Sequence, residues 1–361
     1  MRRACKISLK YATEKKRRDI CDLLEAYRGA VNFYIRSLWK IAGSLDKATL
    51  ARLPDAHTRL SNRYKAQALR QSLSIVSSTK KSAIALGVSA SCPVFRGSAI
   101  LDAKFVDIEA GIKSFDLVIR LSTLRKGKRI QIPTRRTAVL NKWLAKDNSR
   151  LIQGCALSED QLILWVEIPE GKPKDIGNVL GVDVGMCKLL ATSDGKFYGT
   201  NFRAITAKIR RKKSGSNGKK RARIERDQYI NRVVKQLPWS EINAIGYEDL
   251  TDMKRGKSKS RGKNFRKAAA PWSYRLVRQR IELLAQENRV RPVAVDPRGT
   301  SRICPICSTE DQRNRQGENF RCISCNYIAD ADLVGSLNIL DRTCLLLGRV
   351  KSPRCSNVIG I

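Results

Sequence analysis

The chain has 361 residues, of which 71 are Lys or Arg and 33 are Asp or Glu, so its formal net charge at pH 7 is +38. This length allows two or three domains with cores of their own and excludes a miniprotein that depends on disulfides to fold. A surplus of this size favours nucleic acid as the partner. A membrane surface would be served by one basic amphipathic helix, whereas basic residues here run along the whole chain.

The N-terminal segment "MRRACKISLKYATEKKRRDI" lacks the apolar core of a signal peptide, and no run of 18 apolar residues occurs. We therefore expect an intracellular protein that acts in the cytoplasm. In that compartment the eleven cysteines are expected to be metal ligands or buried thiols rather than disulfides. The single histidine, His57, lies in a polar stretch with a helical pattern and excludes His-rich metal sites, so catalysis is expected to use carboxylates.

The first half of the chain predicts one strand, two helical regions and then several strands. Residues 3–11 form the strand, a helix starts near Glu14, and residues 58–86 repeat the three-and-four spacing of an apolar helix face. From about Phe95, β-branched segments between turn signals predict an antiparallel sheet or small barrel, in which the helical segment is an insertion. The Pro- and Gly-containing residues 169–178 predict a linker.

Aromatic side chains in the helical region allow two interpretations. They can belong to the core, which the helical spacing favours, or they can stack on bases. These residues are Tyr27, Tyr34, Trp39 and Tyr64.

With the cysteine-rich segment set aside, the second half predicts the order β-β-β-α-β-α-β-α. A hairpin turn is predicted at Asp194-Gly195, a helix around "YINRVVKQL" and another from Pro271. Two basic runs, residues 205–225 and 253–267, are either solvated loops or nucleic-acid contacts, and the sequence leaves both interpretations open.

Three acids occupy similar places in this order. Asp183 ends an apolar strand, Glu248 ends "INAIGY", and Asp332 lies in the first turn of the last helix. Phosphodiester hydrolysis must stabilise charge on the attacking and leaving oxygens, and two Mg²⁺ ions held by carboxylates from separate elements do this. The spacing predicts an RNase H-like nuclease. Asp249 and Asp330 are the neighbouring alternatives, the latter as an acid favoured by the helix dipole.

The cysteines follow the pattern C-x2-C, fourteen residues, C-x2-C. Each pair offers two thiolates, and four thiolates close a tetrahedral Zn²⁺ site without leaving a position for water. We therefore predict one structural zinc rather than a catalytic one. The predicted ligands are Cys304, Cys307, Cys322 and Cys325.

These segments together resemble a known family. The runs "GVDVG", "ATSDG", "GYEDL" and "TSRICPIC" to "FRCISCNYIADADLVGSLNIL", over residues 178–342, are similar to the C-terminal half of TnpB, the proteins of bacterial insertion sequences that are related to type V CRISPR effectors. The family's metal-binding acids fall on Asp183, Glu248 and Asp332. Its four zinc ligands fall on the cysteines named above. Val334-Gly335-Ser336 departs from the family's usual Asn-Ala-Ala.

The resemblance implies a fold and a domain layout. It implies an α/β RuvC nuclease domain of the RNase H-like class with a zinc-ribbon insert, preceded by a β-barrel wedge domain that a helical recognition domain interrupts. The wedge domain would comprise residues 1–12 and 93–170, and the recognition domain 13–92. The nuclease domain would comprise 171–300 and 327–342, the zinc ribbon 301–326, and a partly disordered tail 343–361.

The implied function is an RNA-guided DNA endonuclease that uses Mg²⁺, with a guide RNA, double-stranded target DNA and its displaced strand as partners. Three alternatives stay open: a minimal type V CRISPR effector, a nuclease-silent RNA-guided DNA binder, and an RNase H-like transposase. The ribbon between the second and third acids is typical of the RuvC-like group. The guide, the target-adjacent motif and the oligomeric state are not readable from the sequence.

Overall fold

The computed structural model describes residues 1–41, 50, 53–111, 113–125, 127–250 and 273–349. The basic run 253–267, Pro271 and the residues from 350 onward lie outside these ranges. The chain divides into two compact units, Met1–Glu170 and a second that begins at Gly171. None of the helices in the described ranges combines the length and apolarity that a membrane span requires.

The first unit contains two antiparallel sheets. β1, β8, β7 and β2 pair in that order with β6 on β8, and β3, β4 and β5 form the second sheet. Every second side chain of β1 is buried, which is the period expected of a strand with one face on the core. The strands are β1 (Arg2–Ser8), β2 (Ala99–Asp102), β3 (Val106–Ala110), β4 (Leu117–Ser122), β5 (Arg129–Thr134), β6 (Arg150–Leu151), β7 (Gly154–Leu157) and β8 (Gln161–Glu167).

The sequence predicted either an antiparallel sheet or a small barrel for this unit. Among the described residues, the strands form two sheets whose hydrogen bonds do not close a barrel. β3 pairs with β4, and the Gln153 side chain takes the place of a strand beside it. Its Oε1 accepts a hydrogen bond from Ile108 N at 2.8 Å, and its Nε2 donates to Ile108 O at 3.1 Å. A side-chain amide therefore satisfies the backbone groups that a barrel neighbour would pair.

Two long helices pack into the core of this unit, α1 (Glu14–Trp39) and α2 (Asn62–Leu86). α2 begins four residues later than predicted because Ser61 Oγ caps it, accepting from Tyr64 N at 3.5 Å. His57 precedes that cap and is not helical. A seven-residue helix, α3 (Ala138–Leu144), is absent from the sequence prediction, since so short a segment shows too little periodicity.

Most of the aromatic residues in question belong to the core. Tyr27, Tyr34 and Tyr64 are buried, and Trp39 is partly buried. The Tyr27 hydroxyl bonds Gln71 Oε1 at 2.9 Å, and the Tyr64 hydroxyl donates to Ser122 O at 2.8 Å. The buried rings are thus committed to packing, with their hydroxyls paired, as buried tyrosines require.

The second unit is built on one mixed sheet with the order β11-β10-β9-β12-β13. β11, β10 and β9 are antiparallel neighbours, whereas β9, β12 and β13 run parallel. The elements are β9 (Asn178–Val184), β10 (Leu190–Thr192), β11 (Phe197–Tyr198), α4 (Phe202–Arg211), α5 (Asn217–Val234), β12 (Ile242–Glu248), α6 (Tyr274–Glu287), β13 (Arg291–Val295), β14 (Arg315–Gln316), β15 (Asn319–Arg321), β16 (Ile328–Asp330) and α7 (Ala331–Leu346).

The basic run 205–225 is helical, which corrects the interpretation as a loop and changes the order to β-β-β-α-α-β-α-β-α. α4 buries Phe202, Thr206 and Ile209 on one face, and α5 begins after Ser216, whose Oγ accepts from Lys219 N at 3.2 Å. The many Lys and Arg residues leave few apolar positions, so the helical spacing of those positions was not evident in the sequence. Charge on the outer face is compatible with a helix as long as one face is buried.

The last helix extends past the predicted start of the tail at residue 343. A Cβ added to Gly181 on β9 would lie 2.2 Å from Ser336 O, and one added to Gly246 on β12 would lie 1.8 Å from Thr343 Oγ1. α7 therefore lies directly on the backbone of these two strands. Thr343 is fully buried in that contact and belongs to the packed unit.

Candidate active site and metal centre

Asp183 and Glu248 are side by side on adjacent strands. β9 and β12 are parallel, with Gly181 opposite Gly246 and Val182 opposite Tyr247, so the next residues on each strand are Asp183 and Glu248. Parallel strands bring their carboxyl ends to the same edge of the sheet, which is where α/β folds place ligands.

Asp332 approaches these acids from the first turn of α7. Two glycines make room for the carboxylates. A Cβ at Gly335 would lie 2.9 Å from Asp183 Oδ2, and one at Gly185 would lie 3.1 Å from Asp332 Oδ2. Gly335 therefore lets α7 approach the Asp183 side chain closely.

The structure gives Asp330 a different position from Asp332. Asp330 Oδ1 caps α7 by accepting from Asp332 N at 2.9 Å and Leu333 N at 3.3 Å, and its Oδ2 pairs with Lys188. Asp332, only 8% exposed, lies near enough to Asp183 for its charge to raise the pKa of that acid. The exposed Asp249 forms an ion pair with Arg278 at 2.9 Å.

The charges of Asp183, Glu248 and Asp332 favour the binding of protons or cations at this site. Burial raises the pKa of Asp183 well above its ordinary value, and the Glu248 and Asp332 carboxylates raise it further. Burial also raises the pKa of Glu248 and of Asp332, the latter with a contribution from Asp330. Ionised acids in such a site repel one another, and a bound cation relieves that repulsion.

Arg315 adds positive charge to this site, and the sequence analysis did not identify it. Its Nη2 lies 3.4 Å from Asp332 Oδ1, and its charge lowers the pKa of Asp183, Glu248 and Asp332 against the raising effect of burial. Arg315 is on β14, within the segment between the two cysteine pairs. No local pattern distinguishes it from the other arginines around it.

Thr300 was also missed as a site residue. Its hydroxyl donates to Glu248 Oε1 at 2.5 Å, and the Asn338 amide donates to Thr300 O at 2.6 Å. Thr300 lies in the quoted "TSRIC" segment, but only the fold brings it to Glu248.

The donor set fits hard cations such as Mg²⁺, since it consists of carboxylate oxygens. Among the described residues, the four cysteines are the one set of three or more His, Cys, Asp or Glu side chains whose donor atoms all lie within 4.8 Å of one another. The three carboxylates are more widely spread than that. A set that surrounds two ions does not have to converge on one point.

The four predicted cysteines come together in a separate centre. Cys304 Sγ lies 3.6 Å from Cys325 Sγ, and Cys307 Sγ lies 3.4 Å from Cys322 Sγ. A tetrahedral zinc with Zn–S bonds of about 2.3 Å separates its sulfurs by roughly 3.8 Å. The four thiols are therefore arranged closely enough to bind one such ion.

Both cysteine pairs have the same turn, a detail that their spacing alone did not reveal. The residue after each pair has a positive φ, 63° at Ser308 and 58° at Asn326. Ser308 N donates to Cys304 O at 2.9 Å, and Asn326 N donates to Cys322 O at 3.0 Å. Each turn thus directs two sulfurs to one point, and the two turns face each other across the centre.

The two turns are joined by one buried side chain. Asn314, 1% exposed, donates from Nδ2 to Arg302 O at 2.8 Å and to Thr309 O at 3.1 Å. Its Oδ1 accepts from Ile323 N at 3.0 Å in the second turn. The centre is therefore held by protein hydrogen bonds as well as by its thiol groups.

Comparison with known proteins supports a common origin for this part of the chain. The family described as Cas12f1-like, TNB domain, matches residues 274–339, which include α6, the four cysteines and most of α7. A TnpB-like protein of Methanocaldococcus jannaschii is 28% identical over 143 residues, which is 39% of this chain and 50% of that protein. A CRISPR-associated endodeoxyribonuclease Cas12f1 of Sulfoacidibacillus thermotolerans is 33% identical over 113 residues, 31% of this chain and 25% of that protein.

The aligned segments thus span half or less of these relatives, whereas the similarity of fold extends further. A cryo-EM structure of a Cas12f1-sgRNA-target DNA complex contains a protein that matches 90% of this chain over 81% of its own length. The TM-score is 0.53 at 15% sequence identity, which supports a shared mixed α/β fold. Residues 274–339 thus match the Cas12f1-like TNB domain, and parts of the chain are similar in sequence to a TnpB-like protein and to a Cas12f1 endodeoxyribonuclease.

Proposed function

We propose that the protein is an RNA-guided DNA endonuclease whose triad Asp183, Glu248 and Asp332 holds two Mg²⁺ ions for phosphodiester hydrolysis. The observation that carries the proposal is that β9, β12 and α7 bring three buried carboxylates to one edge of the sheet, where their pKa values are all raised. A buried acidic cluster of this kind is costly without cations and favourable with them. The relative from Sulfoacidibacillus thermotolerans, named an endodeoxyribonuclease, supports the reaction class.

Each residue contributes a separate part of the site. Bound Mg²⁺ would stabilise the negative charge on the attacking and leaving oxygens. Asp183, on the central strand β9, supplies the carboxylate between the other two acids. Asp332 adds an oxygen from α7, where the Asp330 cap fixes the first turn of the helix. Arg315 beside Asp332 provides a cation that attracts the DNA phosphate to the same edge of the sheet.

We further propose that the cysteine centre binds one structural Zn²⁺. Four thiolates complete a tetrahedral coordination sphere, so the ion has no open position for catalysis. Cys307 has the thiol best prepared for deprotonation, because its hydrogen bond with Thr309 Oγ1 at 3.2 Å lowers its pKa to about 6. Its exposure is compatible with an ion that enters from that side.

The proposed partners are a guide RNA and a double-stranded DNA target with its displaced strand. When base pairing selects the target, the protein must mainly bind nucleic-acid backbones, and a net charge of +38 suits that task. The matched Cas12f1 protein was solved in complex with an sgRNA and a target DNA. By analogy we assign residues 1–12 and 93–170 to a wedge domain, 13–92 to a recognition domain and 301–326 to a zinc ribbon. Residues 171–300 and 327–342, extended to the end of α7 at Leu346, are assigned to a RuvC domain.

The decisive experiment combines RNA sequencing with cleavage. The protein, expressed with its flanking DNA, is expected to purify with one structured RNA and to cut matching DNA in Mg²⁺. Asp183→Ala is expected to abolish cutting, whereas Asp194→Ala, in the β10–β11 turn of the same sheet, is expected to retain it. RNA from a CRISPR array would indicate a CRISPR effector, and RNA from a transposon end would indicate a transposon nuclease. A protein that binds DNA ends but no RNA would contradict the proposal and support the transposase.

A further inference from the structure

We propose that Thr300 is a positioning residue for Glu248, and that Asn338 holds Thr300 in place from α7. This inference rests on the proposed function, because it assigns Glu248 to the metal site. It adds two residues outside the acid triad and gives a physical reason why the segment leading into the first cysteine pair lies beside the acids.

Thr300 contacts Glu248 directly. The hydroxyl, on a residue only 2% exposed, lies 2.5 Å from Glu248 Oε1. It also lies 3.0 Å from Pro297 O, so its single proton has one carboxylate and one carbonyl within reach. An ionised carboxylate is the stronger acceptor, and the hydroxyl therefore donates to Glu248 when that side chain is charged.

This contact restricts the rotation of the Glu248 side chain. Glu248 ends β12, and its carboxylate is separated from the strand by three rotatable bonds. Fixing Oε1 on Thr300 limits the positions that Oε2 of the same carboxylate can take. A metal site depends on partners of this kind, which orient the ligands before the ion arrives.

Asn338 fixes the backbone that carries Thr300. Its Nδ2 donates to Thr300 O at 2.6 Å and to Ile303 O at 2.8 Å, which uses both amide hydrogens. Asn338 is 5% exposed and lies six residues after Asp332 on the same helix. One helix therefore places Asp332 directly and Glu248 through Thr300. Ile303 precedes Cys304, so the first cysteine turn is attached to the same point.

The test uses the full chain purified with its bound RNA and measures thermal unfolding against Mg²⁺ concentration. Asp183→Ala defines the part of the Mg²⁺ response that comes from the RNA. The quantity compared is the Mg²⁺ midpoint, the concentration that gives half of the stabilisation above that baseline. Thr300→Val keeps the shape of the side chain and removes the hydroxyl. It is expected to raise the Mg²⁺ midpoint by about tenfold, the lower end of the effect of losing a residue that orients a metal ligand. Thr300→Ser, which restores the hydroxyl, is expected to stay within about twofold of the parent.

Thr343, a buried threonine on α7, supplies the matched control. Thr343 Oγ1 donates to Ile339 O at 2.6 Å and contacts none of the acids, so Thr343→Val is expected to leave the Mg²⁺ midpoint unchanged. DNA cutting should follow the same order, with Thr300→Val slowed at low Mg²⁺ and recovering as Mg²⁺ rises. A loss caused by general destabilisation would not recover in this way.

The role of Asn338 is tested by a double-mutant cycle. Asn338→Ala should raise the Mg²⁺ midpoint in the same direction as Thr300→Val, and the double variant should be no worse than the more affected single variant. Fully additive effects would overturn the link between the two residues. If Asn338→Ala unfolds, the Thr300 variants still decide the main claim.

Failure of this inference differs from failure of the proposed function. A parent protein with no Mg²⁺ response beyond that of Asp183→Ala would overturn the metal site and, with it, the role of Thr300. A parent that responds to Mg²⁺ and a Thr300→Val variant that responds equally well would overturn only the role of Thr300.

Discussion

At the residue scale, the buried carboxylates of the acidic cluster repel one another when they are ionised. Asp183, Glu248 and Asp332 each have a raised pKa, chiefly because burial disfavours their charged forms. A group whose pKa is raised on folding contributes stability that is present at low pH and is lost as the pH rises through the folded value. The cluster therefore weakens the fold at neutral pH unless cations are bound.

This predicts that Asp183→Asn stabilises the protein in Mg²⁺-free buffer. The amide cannot ionise, so the variant should melt above the parent at pH 7, and the two should converge as the pH is lowered and Asp183 binds its proton. A gain of 1 kcal/mol corresponds to about 2–4 °C in Tm for a domain of this size. Thermal melts across pH 5–8 provide the measurement. A variant that melts below the parent throughout would contradict the prediction.

Replacing Asp330 is expected to destabilise the protein, in contrast to replacing Asp183. It caps α7 and pairs with Lys188, so Asp330→Ala should cost about 1 kcal/mol of stability at neutral pH, as the loss of a helix cap does. Urea unfolding of both variants under one set of conditions provides the comparison. Destabilisation by Asp330→Ala beside stabilisation by Asp183→Asn would separate the structural acid from the cluster.

At the element scale, the position of α7 depends on small residues under it. Gly181 and Gly246 let the helix lie on β9 and β12 without intervening side chains. In this way Asp332 comes close to two acids that are far away in sequence. The same helix carries Asn338, which reaches the segment before the first cysteine turn.

Gly246→Ala should therefore destabilise the second unit by roughly 1–3 kcal/mol, because the added methyl group would lie 1.8 Å from Thr343 Oγ1. Adding Thr343→Ala removes that oxygen, so the double variant should lose less stability than the sum of the single variants. Chemical denaturation of the four proteins provides the cycle. Simple additivity would show that the helix does not rest on this glycine.

Loss of zinc should affect the same element. One Zn²⁺ per chain is expected by metal analysis, and Cys322→Ser should reduce that content and loosen the ribbon, since Cys322 is fully buried. Cys344→Ser, at a buried thiol on α7 outside the centre, serves as the control and should keep its zinc. If the four thiols of the centre react as freely in the parent as those of the exposed Cys21 and Cys92, the assignment is contradicted.

At the scale of the whole molecule, charge is the dominant property. Part of the +38 surplus lies on α4, α5 and the turn between them, where Arg210, Arg211, Lys212 and Lys213 are exposed. Replacing these four with Gln should flatten the dependence of DNA affinity on salt, by about 0.9 in log–log slope for each DNA phosphate that the variant no longer neutralises. Arg18→Gln is the control, since Arg18 pairs with Glu14 on its own helix. An unchanged slope would exclude this surface.

Features of the protein that depend on local pattern could be predicted from the order of its amino acids. Strand alternation, helix spacing and the C-x2-C pairs predicted most elements, and the four cysteines do form one group. Local pattern failed where the local signal was weak: the dense charge of residues 205–225 hid two helices, and α3 was too short to show a period. It also ended α7 too early, because the contact of Thr343 with Gly246 is not local.

Contacts between distant side chains, in contrast, depend on how the elements pack together. The sequence left Asp330 and Asp332 as alternatives, and the fold gives the first a cap and an ion pair while directing the second to Asp183. Arg315 and Thr300 could not be found by pattern, because each reaches its acid across at least 17 positions of chain. The physical reason is that periodicity specifies which face of an element is buried, whereas contacts between elements depend on register and on the small residues that let backbones approach.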